Sequence, residues 1–294
     1  MPRGINTQDA YHKAIFKLQS KFQPRDLSCR LDSYPYLSSD TYYFLCDLHI
    51  TSETSLRNYL NNPDAKFKKM YILGSLVNEL IKNLDLIKDI NLESIVIMES
   101  DNLQEASDLE KLLLVSKKVF SNNLHGSSKF ISPIPLGLER QAYRSAGNLK
   151  NFKRKTDIDP KLRTINFLIA WNDDTNANRK QVRDVFKNVS RTLNVEKRLS
   201  AKSVHKLMRK TLFVPSPAGN GLDCHRTWEA LYLGCVPVVL AKEFCGDDSW
   251  PVLVVQNWQD LAEMKQEELI KSYVAFKKLH TEPLAFTKSI LDRI

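Results

Sequence analysis

Residues 213–240 read FVPSPAGNGLDCHRTWEALYLGCVPVVL, and few folds accept that order. An apolar run ends in a loop holding Ser216, Pro217, Gly219, Asn220 and Gly221. An amphipathic helix follows, Gly234 stops it, and a second apolar run begins. Strand, glycine turn, helix and strand make half of a nucleotide-diphosphate site in a parallel sheet. The glycines keep the loop free of side chains, so backbone amides can approach a phosphate. Asp223 is expected to cap the helix, predicted over 223–233, and Cys224, Trp228 and Leu231 share its core-facing stripe. The helix start offers an anion only ~0.3–1 kcal/mol when exposed and up to ~2 kcal/mol when partly buried. A tightly held diphosphate therefore needs a cation, and Arg226 is the nearest. Glu229 either pairs with Arg226, for a few tenths of a kcal/mol, or meets a ligand. The residues alone leave both readings open, as they do for His225, a nucleotide contact or a helix-surface residue.

Strand–helix alternation extends over most of the chain. Strands are expected over 42–46, 70–73, 94–98, 119–120 and 130–134, and again over 164–170, 212–215, 236–240 and 252–255. Helices are expected over 52–60, up to about 86, after a cap at Ser107 with Glu110 in the capping-box position, from 176, from 200, and after a cap at Asn257. The last stretch, 267–294, reads as helical with a break at Pro283. The first forty residues read as irregular, and the Gly-, Asn- and Lys-rich passage 145–160 reads as a linker. The pattern predicts an α/β protein of two Rossmann-like domains, 1–150 and 151–294, facing a central cleft, the last helix being a candidate to pack back on the first. In such sheets ligands sit beyond the carboxyl ends of the strands.

Composition narrows the function classes. With 43% hydrophobic and 26% charged residues the 294-residue chain is of ordinary soluble type. No apolar run approaches the ~18–20 residues that span a bilayer, and the start MPRGINTQDAYHK lacks a signal-peptide core. A soluble, cytoplasmic protein is expected, with peripheral membrane association or a removed anchor left open. Five scattered cysteines fit a reducing compartment and show no metal spacing. The net charge of +9 admits either a nucleic-acid binder or an enzyme of anionic nucleotides. The basic residues are spread along the chain without a recognition signature, which disfavours the first. A nicotinamide oxidoreductase would need a third glycine where Cys224 stands.

The run SPAGNGLDCHRTWEALYLGCVPVVL resembles the carboxyl-terminal signature of exostosin-like glycosyltransferases, with the xylosyltransferases of that type the nearest likeness. SNNLHGSSKFISPIPLGLER, INFLIAWNDDTNANRKQV and WPVLVVQNWQDL resemble further segments of the family. The likeness is strong over about 164–260, thinner over 94–140 and absent before 90. It implies a two-domain GT-B glycosyltransferase using a nucleotide-activated sugar, most often a UDP-sugar, with a glycan acceptor, no metal, no other cofactor and no nucleic-acid partner. By position, Glu229 would hold the donor ribose and Gly219, Asn220 and Gly221 would form the loop on the pyrophosphate, with Ser216, Asp223 and His225 in the same donor-binding set. Asn176, Arg179 and Arg226 would add donors and charge. Many retaining relatives carry a glutamate eight residues before the ribose-binding one; Gly221 stands there, which favours inversion. Inversion needs a general base from the first domain at a strand's carboxyl end. Asp47 and His49 after 42–46, and Glu99 and Asp101 after 94–98, are the candidates, one of them being expected to serve.

Overall fold

A computed structural model of the protein describes residues 29–126, 128–143, 146–153 and 158–294. Most of the amino-terminal stretch read as irregular, and parts of the expected linker, lie outside the described residues. In the first half the chain runs α1 (Ser39–Leu45), β1 (Leu48–Ile50), α2 (Glu53–Asn61), β2 (Lys69–Leu73), α3 (Val77–Lys82), β3 (Ser94–Met98), β4 (Gln104–Glu105), α4 (Ala106–Leu109), β5 (Val119–Ser121), β6 (Leu124–His125) and β7 (Ile131–Pro133). The second half runs β8 (Ile165–Ile169), α5 (Asn178–Phe186), β9 (Thr192–Asn194), α6 (Ala201–Met208), β10 (Thr211–Pro215), α7 (His225–Tyr232), β11 (Val236–Leu240), β12 (Leu253–Val255), α8 (Trp258–Ala262), α9 (Gln266–Leu279) and α10 (Pro283–Arg293).

Two parallel five-stranded sheets result, ordered β1-β2-β3-β5-β7 and β12-β11-β10-β8-β9. Parallel neighbours require crossovers, and crossover helices cover both faces, so the strands read as nearly continuous apolar runs. In β3, Ile95 and Ile97 pack with α2, α3 and α4 residues such as Leu56, Leu80 and Leu109, while Val96 and Met98 face Tyr42 of α1 and Ile290 of α10. In the second sheet Phe167, Ile169 and Phe213 meet Phe186 and Tyr273, whereas Leu168 and Val214 meet Met208, Trp228 and Leu231. Burying one such side chain fully contributes roughly 1.5–3 kcal/mol. The chain is therefore an α/β protein with doubly covered parallel sheets.

The two strand orders differ in a way that matters for binding. The first sheet steps in one direction throughout. The second steps from β8 to β9 on one side, then back across β8 to β10 on the other. That reversal opens a crevice between the carboxyl ends of β8 and β10. Helix α10 crosses back to the first sheet, where Ser94 Oγ donates to the carbonyl of Ile294 at 3.2 Å.

Several expected elements are corrected. Residues 42–45 belong to α1, with Cys46 as its C-cap, instead of a strand: Ser38 caps the helix through Thr41 N, and Tyr42 is buried against the sheet. The aromatic run has strand propensity, but the Ser38–Ser39–Asp40–Thr41 sequence before it starts a helix. Ser107 does not cap a helix; α4 begins at Ala106 without a side-chain cap. Helix α5 starts at Asn178, and Pro283 opens α10 as its first residue. Strands β4, β6 and β9 are too short to carry a period-2 pattern. No helix among the described residues is long and apolar enough to cross a membrane.

Candidate functional site

The loop after β10 and the segment after β8 meet over the crevice, and Arg179 of α5 ties them together. Its Nε donates to Ala218 O at 2.9 Å and one terminal nitrogen to Pro217 O at 3.2 Å, while the other reaches Asn172 O at 3.1 Å and Thr175 Oγ1 at 2.7 Å. Cys224 Sγ lies 3.5 Å from the guanidinium. These contacts occupy the donor set of a guanidinium. Burial and the positive charge of Arg226 lower the pKa of Arg179, only partly offset by Cys224 and Asp173. Expected as a phosphate clamp, Arg179 is instead the internal brace of the loop. Asn176 braces the loop as well, its Nδ2 donating to Gly219 O at 3.2 Å and its Oδ1 accepting from Asn178 N at 3.0 Å.

The glycines are explained by the same packing. A Cβ on Gly219 would lie 2.8 Å from the Arg179 guanidinium, and one on Gly221 would overlap the side-chain amide of Asn123. Most of the loop's N–H groups point inward: Ser216 N to Val238 O, Ala218 N to Glu243 Oε2 at 3.0 Å, Gly219 N to Gly221 O, and Asp223 N to Asn123 Oδ1 at 2.8 Å. Ser216 Oγ bonds Thr227 Oγ1 at 2.8 Å inside the core. The phosphate cradle expected of the loop amides is thus largely spent on the fold, with the carboxylate of Glu243 on one of them.

Asp223 is not the helix cap. Cys224 holds that position without a side-chain bond. The buried Asp223 carboxylate accepts Trp228 Nε1–H at 2.9 and 3.0 Å and Leu136 N–H at 2.7 Å. Burial pushes its pKa up to about 6, against the pull of those two donors. His225 Nδ1 lies 2.8 Å from Gly137 O, and its Nε2 is 3.5 Å from Glu139. Both residues join the second half to the connection that leaves β7.

Glu229 is 4% exposed. Its Oε2 lies 2.8 Å from Arg226 and its Oε1 3.1 Å from His205 Nε2. Burial works against ionisation, but Arg226 first and His205 next outweigh it and hold the carboxyl below its ordinary range. The pairing reading of Glu229 is realised, and its carboxylate is enclosed instead of presented to a ribose. Arg226 keeps a quarter of its side chain accessible. It is the motif's cation with access to solvent, fixed in place by Glu229.

Of the four expected bases, two are at the wrong end or face. Asp47 precedes β1, where its carboxylate accepts the amides of Lys68 and Lys69 at 2.8–3.1 Å. His49 lies within β1, stacked at 3.8 Å on Tyr43 with Nε2 2.8 Å from Tyr43 O. Glu99 does follow β3, in the left-handed region at φ 58°, but it is held by Arg30 at 2.5 Å, Ser39 and Tyr71, with Arg140 3.8 Å away. Burial raises its pKa, and Ser39 and Arg30 overcome that to give a net lowering. A carboxylate so stabilised is a poor proton acceptor. Asp101 is exposed and faces the second half, 3.4 Å from Asn220 Nδ2.

Asn123 was not among the expected site residues, although it lies in the SNNLHG segment. It follows β5 at φ 52°, donates to Ser100 O at 2.5 Å, and meets Gly221 and Asp223. His205 and Glu243 carry no sequence signal, because each acts on the loop or helix from a separate element. Among known proteins, no family model matches the chain and no curated protein matches it in sequence.

Proposed function

We propose that the protein is a glycosyltransferase of GT-B type that moves a sugar from a nucleotide-sugar donor, a UDP-sugar in the first instance, to a hydroxyl of a glycan acceptor, with inversion and without a metal. Xylose is the donor sugar to test first, from the likeness of the 216–240 segment. The observation that carries the reading is the convergence of post-strand segments from both sheets. Asp101, Asn123 and Leu136–Gly137 of the first half touch Asn220, Gly221, Asp223 and His225 of the second. Carboxyl ends of strands from both sheets thus meet at one seam, beside the strand-order reversal of the second. In parallel sheets such places are where ligands sit, which supports the reading.

In this reading the nucleoside diphosphate lies over the β8–β10 crevice against the start of α7, with Arg226 meeting its charge. The acceptor oxygen attacks the anomeric carbon, the bond from that carbon to the phosphate oxygen breaks, and the diphosphate leaves with the electron pair. The acceptor's proton goes to a base on the first half. Fixed donors then stabilise the leaving group without reorganising. The test is turnover on a panel of nucleotide sugars, read as nucleoside diphosphate released with and without glycosides. Release from one donor, accelerated by a glycoside and giving an inverted anomeric product, supports the proposal. A protein that releases no nucleotide from any donor refutes it.

A further inference from the structure

A cavity of about 330 Å³ opens between the halves, lined by Leu124, His125, Ser132, Leu222, Lys242 and Phe244 among others. Its size is at the lower end of small-molecule sites. Leu222 belongs to the loop after β10, and Lys242 and Phe244 follow β11. The cavity thus lies on the same seam as the motif and is walled about equally by both halves. Its lining is about as polar as apolar, with Ser132, Lys242 and Asp247 standing beside Leu124, Leu222 and Phe244, which suits a ring with one hydrocarbon face and several hydroxyls.

On its wall His125 pairs with Glu105, Nδ1 to Oε2 at 2.9 Å. The two are register partners in the parallel β4–β6 ladder, so backbone pairing holds the dyad together. Ladder and seam are continuous: Gln104 N donates to Asn123 O at 3.0 Å, and Asn123 touches the motif loop. A carboxylate only accepts, so the Nδ1 of His125 must be the donor and Nε2 carries the lone pair when the ring is neutral. That is the arrangement of a general base with an orienting carboxylate.

We infer that this cavity is the acceptor subsite, taking a single neutral sugar unit, and that His125, positioned by Glu105, is the general base. The inference rests on the glycosyltransferase reading above. In the step, His125 Nε2 takes the acceptor hydroxyl proton as the new carbon–oxygen bond forms and the nucleoside diphosphate departs. Asp101 is the competing base; it faces Asn220 and does not line the cavity.

The experiment uses the full chain with the nucleotide sugar and methyl glycosides that turn over. His125→Ala should lower kcat by about 100- to 10,000-fold, leave UDP affinity unchanged and regain activity with added imidazole. Glu105→Gln should lower kcat with the donor KM unchanged. Both side chains are about half exposed or more, so neither change threatens the fold. Ser132→Trp, which fills the cavity, should abolish the saturation-transfer NMR signal of the methyl glycoside while UDP still binds. If His125→Ala turns over normally, or Asp101→Asn removes turnover in its place, the base assignment is wrong. If Ser132→Trp binds the glycoside as before, the subsite is wrong. Either failure with UDP bound and donor consumed leaves the transferase reading intact; absent UDP binding by the unaltered protein overturns that reading itself.

Discussion

The side-chain amide of Asn123 occupies the space that any side chain on Gly221 would need, while its Oδ1 receives the Asp223 amide at 2.8 Å. One asparagine thus closes the seam between the sheets and dictates a glycine across it. Gly221→Ala should destabilise the protein by roughly 1–3 kcal/mol through overpacking. Adding Asn123→Ala should recover part of that loss, a coupling that chemical unfolding of both single variants and the double variant will measure. Simple additivity would deny the contact.

Glu229 is expected to act through stability. Glu229→Gln leaves Arg226 and His205 beside a neutral amide, and breaking a buried pair from one side costs about 3–5 kcal/mol. Because the folded carboxyl lies below its ordinary pKa, its contribution is present above about pH 4.5 and fades as pH falls through the folded value. Urea unfolding of both proteins at pH 7 and pH 4 should therefore show a difference that narrows in acid.

Asp223 has the opposite sign. Its folded pKa of about 6 exceeds the ordinary 3.8, so the native state binds the proton more tightly. Its contribution is greatest below pH 4 and falls by about 3 kcal/mol as pH rises through 6. NMR titration of the Asp223 carboxyl carbon will give its midpoint; a midpoint near 4 would contradict the burial argument.

Lys277 of α9 is buried, with Nζ donating to Cys235 O at 3.1 Å, and burial lowers its pKa to about 8. Its ammonium costs stability that returns as pH rises from 8 toward 10.5. Lys277→Met, which keeps the stem volume, should raise the Tm at pH 7 and flatten that dependence. A lower Tm would mean that the carbonyl bond outweighs desolvation.

Long apolar runs such as 94–98 and 236–240 were legible because strands buried on both faces need no alternation. The order strand, loop, helix, strand over 211–240 was legible for the same reason. The roles of the loop's polar residues were not. Arg179, Asn176 and Asp223 stand where ligand contacts are expected, yet their partners are carbonyls, an amide and an indole brought in by the fold. Spacing reports which residues share a turn; it does not report what packs on them from forty or a hundred positions away. Residues 42–46 misled for a local reason, since aromatic strand propensity competed with a capping serine, and burial favoured the helix.

The central claim is that the start of α7 and the crevice between β8 and β10 bind a nucleoside diphosphate. Calorimetric titration of the full chain with UDP and GDP, beside NAD and a single-stranded oligonucleotide at about 150 mM salt, tests it most directly. Saturable one-to-one binding of a nucleoside diphosphate, with no binding of NAD or oligonucleotide, is the predicted result. Heat from the oligonucleotide or NAD alone, with neither diphosphate bound, would contradict it.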